Sequence, residues 1–293
     1  NAALVGEGAL LLSGTGTMLA AGGSTIDTGT ASYGLFIPTG SLTVEGGDWT
    51  FLGGETGTPS THGLYLEDGN LAITAGSVTA KGGSTTIGGN SYGMLVNGNF
   101  TLSGGDAAGL GGTATWTSRG FQLSGNLIQS GGVLTGCGGT ALEAGGDSAG
   151  LYLAGSVNLN NPAVPGTQDG KINLMGGSAD TSVALDMTLS DMNIYGGQVF
   201  LSSGKAVDLS MGIRTQGTIY LTGGTTVVQA TPDATLSQAL NQPASFGTSS
   251  VSVIYPTNLP PGDSDYEHPF NVYGRAGRMP FWDSRLVING GTA

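Results

Sequence analysis

One run recurs at a near-constant interval, and that interval limits the folds open to the chain. Gly34-Leu35-Phe36-Ile37 returns as Gly63-Leu64-Tyr65-Leu66, Gly93-Met94-Leu95-Val96, Gly120-Phe121-Gln122-Leu123 and Gly150-Leu151-Tyr152-Leu153, at steps of 29, 30, 27 and 30 residues. A second run follows each: Leu42-Thr43-Val44, Leu71-Ala72-Ile73, Phe100-Thr101-Leu102, a looser Leu127-Ile128-Gln129, and Val157-Asn158-Leu159. A Gly-Gly pair closes each third segment, at Gly22-Gly23, Gly53-Gly54, Gly82-Gly83, Gly111-Gly112 and Gly138-Gly139. Apolar residues alternate within the runs, as Leu64 and Leu66 do around Tyr65, and period two marks strands with one buried face. No segment carries a convincing helical period with caps, which removes leucine-rich and βαβ repeats.

Three short strands per repeat describe a coil. The expected fold is all-β, a right-handed parallel β-helix of three-strand coils, about 29 residues each, with an irregular C-terminal cap. Equivalent residues of successive coils then stack at roughly 4.8 Å, and inward Leu, Ile, Val and Met form continuous columns. A β-propeller blade needs four strands and ~40 residues, so it does not fit. The 56 glycines among 293 residues follow no G-X-Y period, which excludes collagen. They are expected at corners where φ is positive.

After Gly155 the register loosens. Ile172-Asn173-Leu174-Met175, Met192-Asn193-Ile194 and Ile219-Tyr220-Leu221 read as second strands, with Val164-Pro165-Gly166 in an inserted excursion. The solenoid is expected over residues 1–230, in about eight coils. Residues 231–293 form a Pro- and aromatic-rich cap or assembly segment; the stretch 231–284 alone holds seven of the eleven prolines. Solenoid ends expose backbone and core and must be covered.

Eight Lys and Arg face twenty Asp and Glu, a net charge of −12. Nucleic acid and anionic lipid need a basic footprint, so neither is an expected partner. No apolar run reaches the ~18 residues of a membrane span, so insertion is not expected. Cys137 is the one cysteine, which leaves stability to the regularity of the fold. The chain opens at Asn1 without Met or an apolar leader, as a processed secreted chain would.

Leu71-Ala72-Ile73-Thr74-Ala75-Gly76-Ser77-Val78-Thr79-Ala80 and Asn99-Phe100-Thr101-Leu102-Ser103-Gly104-Gly105 resemble the phrases of secreted Gly/Thr-rich β-helix surface proteins of bacteria. That group includes carbohydrate-binding β-helices related in fold to pectate lyases, and adhesin-like proteins. The resemblance covers roughly residues 30–230. It implies the fold and an extracellular, secreted or cell-surface setting, and transfers no site residue, because the shared residues are structural.

Lyase chemistry on such a fold needs carboxylates for Ca²⁺ and a Lys or Arg as base. Asp186 and Asp208 would stack one coil apart near Lys205 if Ala184 and Ala206 were equivalent; ordinary exposed charges are the other reading. Asp263, Asp265 and Glu267 have alternate spacing that could place oxygens around Ca²⁺, but His268 and Gly274 break the EF-hand pattern, and a solvated loop is the other reading. His62 and His268 are the only histidines, too few for a zinc site of their own. Cys137 is expected as a small buried residue. No catalytic residue and no cofactor is assigned, calcium aside.

A ladder of outward positions stands apart. Phe36, Tyr65, Leu95, Gln122 and Tyr152 occupy the middle of equivalent first strands with inward apolar neighbours. Tyr33, His62, Tyr92 and Arg119 precede the same glycine, in a direction the sequence leaves open. Phe36, Tyr65, Tyr152, Tyr33 and Tyr92 are therefore the expected ligand-binding face, with sugar rings or a protein stacking on them; a covering loop is the other reading. The second-strand series Thr43, Ala72, Thr101, Ile128, Asn158 is too irregular for ice binding.

The expected function is non-enzymatic: an extracellular surface protein binding a polysaccharide or other surface glycan, or mediating adhesion. Two alternatives stand beside it. One is a Ca-dependent polysaccharide lyase. The other is a protomer of a filament or surface layer, docking through Arg275, Arg278 and Trp282 on the acidic body of a neighbouring copy. Residues up to 254 hold five basic and sixteen acidic side chains, a balance of −11; the remainder balances at −1.

Overall fold

A computed structural model describes residues 1–241 apart from 26–28, 188–189, 216, 218, 222–223 and 232–233, and the backbone of two further strands, Val251–Ile254 and Leu286–Ile288. The chain is a parallel β-solenoid of about eight turns with about 29 residues per turn, the fold the repeat predicts. Arg275, Arg278, Trp282, Asp263, Asp265, Glu267 and His268 lie outside the described residues.

The first strands form a nine-stranded parallel sheet, from Ala2–Val5 through Ser32–Ile37, Thr61–Leu66, Asn90–Val96, Thr117–Leu123, Asp147–Leu153, Ala179–Met187 and Ala206–Arg214 to Leu236–Asn241. Second and third strands share one sixteen-stranded sheet, because Leu42–Leu52 and Leu71–Lys81 run unbroken through the corner between them. Parallel pairing continues past residue 230. Leu236–Asn241 pairs with Ala206–Arg214, Val251–Ile254 with Thr225–Gln229, and Leu286–Ile288 with Ile219–Leu221.

The register corrects one assignment. Lys171–Met175 pairs with Val133–Cys137, so Ile172 and Leu174 belong to a third strand. The second strand of that coil is Val157–Leu159. Residues 160–170 lie between the two, and Asn160 closes this excursion by accepting the Gly170 N–H at 3.0 Å. A run of alternating apolar residues followed by Gly-Gly looks alike in either strand, so spacing alone misplaced it.

The core is built from columns. Leu35, Leu64, Met94, Phe121, Leu151 and Leu185 stack in register and are buried. Large and small residues alternate across it. Phe121 reaches the third-strand backbone where Gly109 and Gly136 stand; a Cβ on either would come within 2.8 Å or 3.0 Å of its ring. Phe100 stacks on Phe121 from the second strand, centroids 6.1 Å apart. Such interdigitation at crystal-like density is what makes core size changes costly.

The glycines divide into two kinds, which refines the expectation that they serve positive φ. One column, including Gly76 (φ 79°) and Gly105 (φ 72°), turns the second strand into the third and does need that conformation. The Gly-Gly pairs show no positive φ and are required by proximity. A Cβ on Gly83 would sit 2.0 Å from the Gly54 oxygen, and one on Gly112 2.0 Å from the Gly83 oxygen.

A ladder of buried hydroxyls fastens these pairs. Ser32, Thr61, Ser91, Ser118, Ser148 and Ser182 point inward from successive first strands and are fully buried. Each donates to a Gly-Gly carbonyl of its own coil and accepts a glycine N–H from the next. Ser118 bonds the Gly112 oxygen at 2.7 Å and the Gly139 nitrogen at 3.0 Å. Ser148 bonds the Gly139 oxygen at 2.9 Å and the Gly177 nitrogen at 3.0 Å. Buried polar groups need such partners, and each rung contributes about 1 kcal/mol net.

Candidate functional site

The outer face of the first-strand sheet carries two rows of side chains. Tyr33, His62, Tyr92 and Arg119 are in register in one row; Phe36, Tyr65, Leu95, Gln122, Tyr152, Asp186 and Arg214 follow in the other. Tyr33, Phe36, Tyr65, Tyr92 and Tyr152 thus share one face, and His62 and Arg119 join them. The direction the sequence left open is outward.

The rings stack on one another. Tyr33 lies 4.8 Å from Phe36 and 5.1 Å from His62, centroid to centroid, with interplanar angles of 19° and 16°. Phe36 and Tyr65 are 5.4 Å apart, His62 and Tyr65 5.0 Å, and His62 and Tyr92 5.1 Å. Strand spacing near 4.8 Å forces this, since flat side chains in adjacent coils fit that gap only face to face. The consequence departs from the expectation. Neighbouring rings occupy the ring faces, and the ladder offers edges and phenol hydroxyls outward. Tyr92 is nearly buried within it; Tyr33, Phe36 and Tyr65 are half-buried.

The electrostatics follow from that crowding. His62 is only 5% exposed and its Nδ1 has no hydrogen-bond partner. Burial lowers its pKa to about 3, so the imidazole is neutral. Burial, and then the Glu67 carboxylate, raise the Tyr33 and Tyr65 hydroxyls above the ordinary phenol value.

From Arg119 onward charge replaces stacking. The Arg119 guanidinium lies 3.9 Å above the Tyr152 ring, donates to Gln122 Oε1 at 2.7 Å, and pairs with Asp147 at 3.2 Å. Arg214 reaches Asp147 at 3.5 Å and holds Asp186 through two bonds, Nε to Oδ1 at 2.9 Å and Nη2 to Oδ2. Those bonds hold the Arg214 charge more firmly than usual.

This network overturns the lyase cluster. Asp186 pairs in register with Arg214, because a register shift between Ala179 and Thr181 displaces the alignment. Asp208 falls in the shift, the equivalent of Ala184 is Gly212, and Asp186 is a buried ion-pair partner. Among the described residues no group of three or more His, Cys, Asp or Glu could hold a metal.

Cys137 also differs from expectation. It sits in register with Leu110 and Met175 on the outer face of the third strand and is half-buried. Met175, Phe200 and Val227 line the same hollow, of about 210 Å³. Burial pushes its thiol pKa up, which makes it a poor nucleophile. A larger trough, about 560 Å³, follows the Gly-Gly pairs. Its floor is backbone already committed to the hydroxyl ladder.

Sequence reasoning passed over Trp116. It ends the loop before Thr117–Leu123 and is 52% exposed, between Ile87 at 66% and Leu142 at 64% in the neighbouring coils. Its lack of the strand pattern hid it; an isolated Trp just before a first strand was the available signal.

Fold and face together define a parallel β-solenoid with a laddered aromatic and ion-paired surface. Comparisons with protein-family models, curated proteins and solved structures find no match to this chain.

Proposed function

We propose that this protein is a non-enzymatic extracellular binding protein, of the kind formed by secreted Gly/Thr-rich β-helix surface proteins, and that its ligand is a polysaccharide. The observation that carries this reading is the strip itself. Apart from Leu95, aromatic and planar side chains continue in register from Tyr33 to Tyr152 across successive coils, with His62 and Tyr92 buried among half-buried Tyr33, Phe36, Tyr65 and Tyr152, on a face whose opposite side already supplies the core. Core packing does not require rings there. A linear polymer with one sugar per coil would run along the strip and meet phenol hydroxyls, ring edges and amide groups at a regular step. Contact through edges and hydroxyls, with rings held rigid by their neighbours, keeps the entropy cost of binding low.

The test is affinity electrophoresis against a panel of plant and bacterial polysaccharides. Retardation of the wild-type chain is expected from at least one polymer, with a loss of about tenfold or more in affinity for Tyr65→Ala plus Tyr152→Ala. Unchanged retardation in that variant overturns the assignment of the face.

A further inference from the structure

We infer that Trp116, flanked by Ile87 and Leu142, is the platform on which one sugar ring of a neutral glycan stacks; this rests on the polysaccharide reading and names its ligand class and its anchoring residue. Every aromatic in the ladder from Tyr33 to Tyr92 has neighbouring rings against its faces, and Tyr152 has the Arg119 guanidinium over its ring. Among the described residues, no other ring stacks on Trp116, which is 52% exposed. The indole is the largest side-chain face the chain can offer, and burying it against a ligand releases the most water.

The backbone beneath the platform is fixed. The Trp116 N–H donates to the Gly89 oxygen at 3.2 Å and its carbonyl accepts from Asp147 N–H at 2.9 Å, so the backbone is tied to the coils on both sides. Nε1 lies over Gly88, where an added Cβ would be 3.7 Å away. Such anchoring reduces what ordering would cost on binding.

Its surroundings suit an amphipathic ring. Ile87 and Leu142 are exposed apolar side chains in the corner loops one coil before and one coil after. Thr117, the next residue, carries a hydroxyl at the start of the first strand, whereas the Asp147 carboxylate is held by Arg119 and Arg214. A pyranose with equatorial hydroxyls has an apolar C–H face and a polar rim, which matches this pairing.

Charge selects the neutral class. Glu67 acts on Tyr33 and Tyr65, Glu143 follows Leu142, and both arginines of the strip are bound to Asp147 and Asp186. The whole chain carries −12. A uronate polymer would meet repulsion with no free cation on this face among the described residues.

The probes are hydroxyethylcellulose, neutral, and polygalacturonate, acidic. Hydroxyethylcellulose is expected to retard the wild-type chain and to shield tryptophan fluorescence from iodide. Trp116→Ala should bind at least tenfold more weakly and lose the shielding; Trp116→Tyr should keep most of both. Thermal unfolding unchanged in both variants confirms that the fold is retained. If no polysaccharide retards the wild type, the parent reading fails. If retardation depends on Tyr65 and Tyr152 but Trp116→Ala matches wild type, only the platform fails. Tighter binding of polygalacturonate overturns the neutral class. A wild-type chain that self-associates in sedimentation, relieved by Trp116→Ala without any change in glycan retardation, assigns the ridge to a protein contact and overturns the inference.

Discussion

Between Tyr33 and Tyr92 the outer face of the first-strand sheet is held by ring on ring, and between Arg119 and Arg214 by charge on charge. Both halves lie on the same sheet face, above the same core columns, although Asp147 stands in register with Thr117 and Thr181, outside the two rows. In the aromatic half the strand spacing does the work: flat side chains one coil apart have nowhere to go but into contact. In the ion-paired half the same spacing brings Asp147 and Asp186 within reach of arginines one and two coils away. Rings tolerate one another in any order, whereas each charge needs its partner in the correct coil. The aromatic half should therefore absorb substitution, and the charged half should punish it. His62 is the exception, a titratable ring inside the tolerant half.

The largest expected effect breaks the aromatic half through that exception. Unfolded His62 gains a proton near pH 6.5, whereas the folded ring stays neutral until about pH 3. The unfolded state thus binds more protons between those values, and stability falls as pH drops through that window. The slope is about 1.4 kcal/mol per pH unit, on the order of 4 kcal/mol near pH 3. Urea unfolding of wild type and His62→Phe from pH 7 to pH 3 should show the two curves diverging toward acid. Parallel curves would mean that the ring finds a partner or water in solution.

The next effect tests the charged half. Asp186→Leu leaves Arg214 without its principal partner and should cost about 2 kcal/mol at pH 7, less than the ~3–5 for a fully buried pair because Arg214 reaches solvent. A loss below about 0.5 kcal/mol would make the network surface decoration.

A control runs beneath both halves. Ser91 and Ser148 occupy the same hydroxyl ladder, one under each region. Ser91→Ala and Ser148→Ala should each cost about 1–2 kcal/mol, and equally. Unequal losses would show that the outer face alters the ladder below it.

The smallest effect is Tyr65→Leu. The next coil already places Leu95 in that row, so the loss should stay within about 1 kcal/mol in thermal unfolding. A larger loss would show that the rings cooperate as a unit.

The sequence by itself determined the coil. A period near 29 with alternating apolar residues is a local property, and once coils stack it dictates the inward columns and the outward row from Phe36 to Tyr152; that Tyr33, His62, Tyr92 and Arg119 share that face was left to the structure, because Gly34 and Leu35 are both buried and break the alternation. It also held the hydroxyl ladder: a Ser or Thr stands two residues before the strand glycine at Ser32, Thr61, Ser91, Ser118 and Ser148. That pattern acquires meaning only when the next coil brings its Gly-Gly N–H to the hydroxyl. Whatever depends on registration between coils was decided by tertiary structure alone. Asp186 meets Arg214 instead of Asp208 because a register shift intervenes. Lys171–Met175 is a third strand because an inserted loop precedes it. The ladder rings cover one another while Trp116 stays half-exposed, since exposure is set by which atoms the neighbouring coils place above and below a side chain. Those neighbours lie about 29 residues away along the chain and about 4.8 Å away in space.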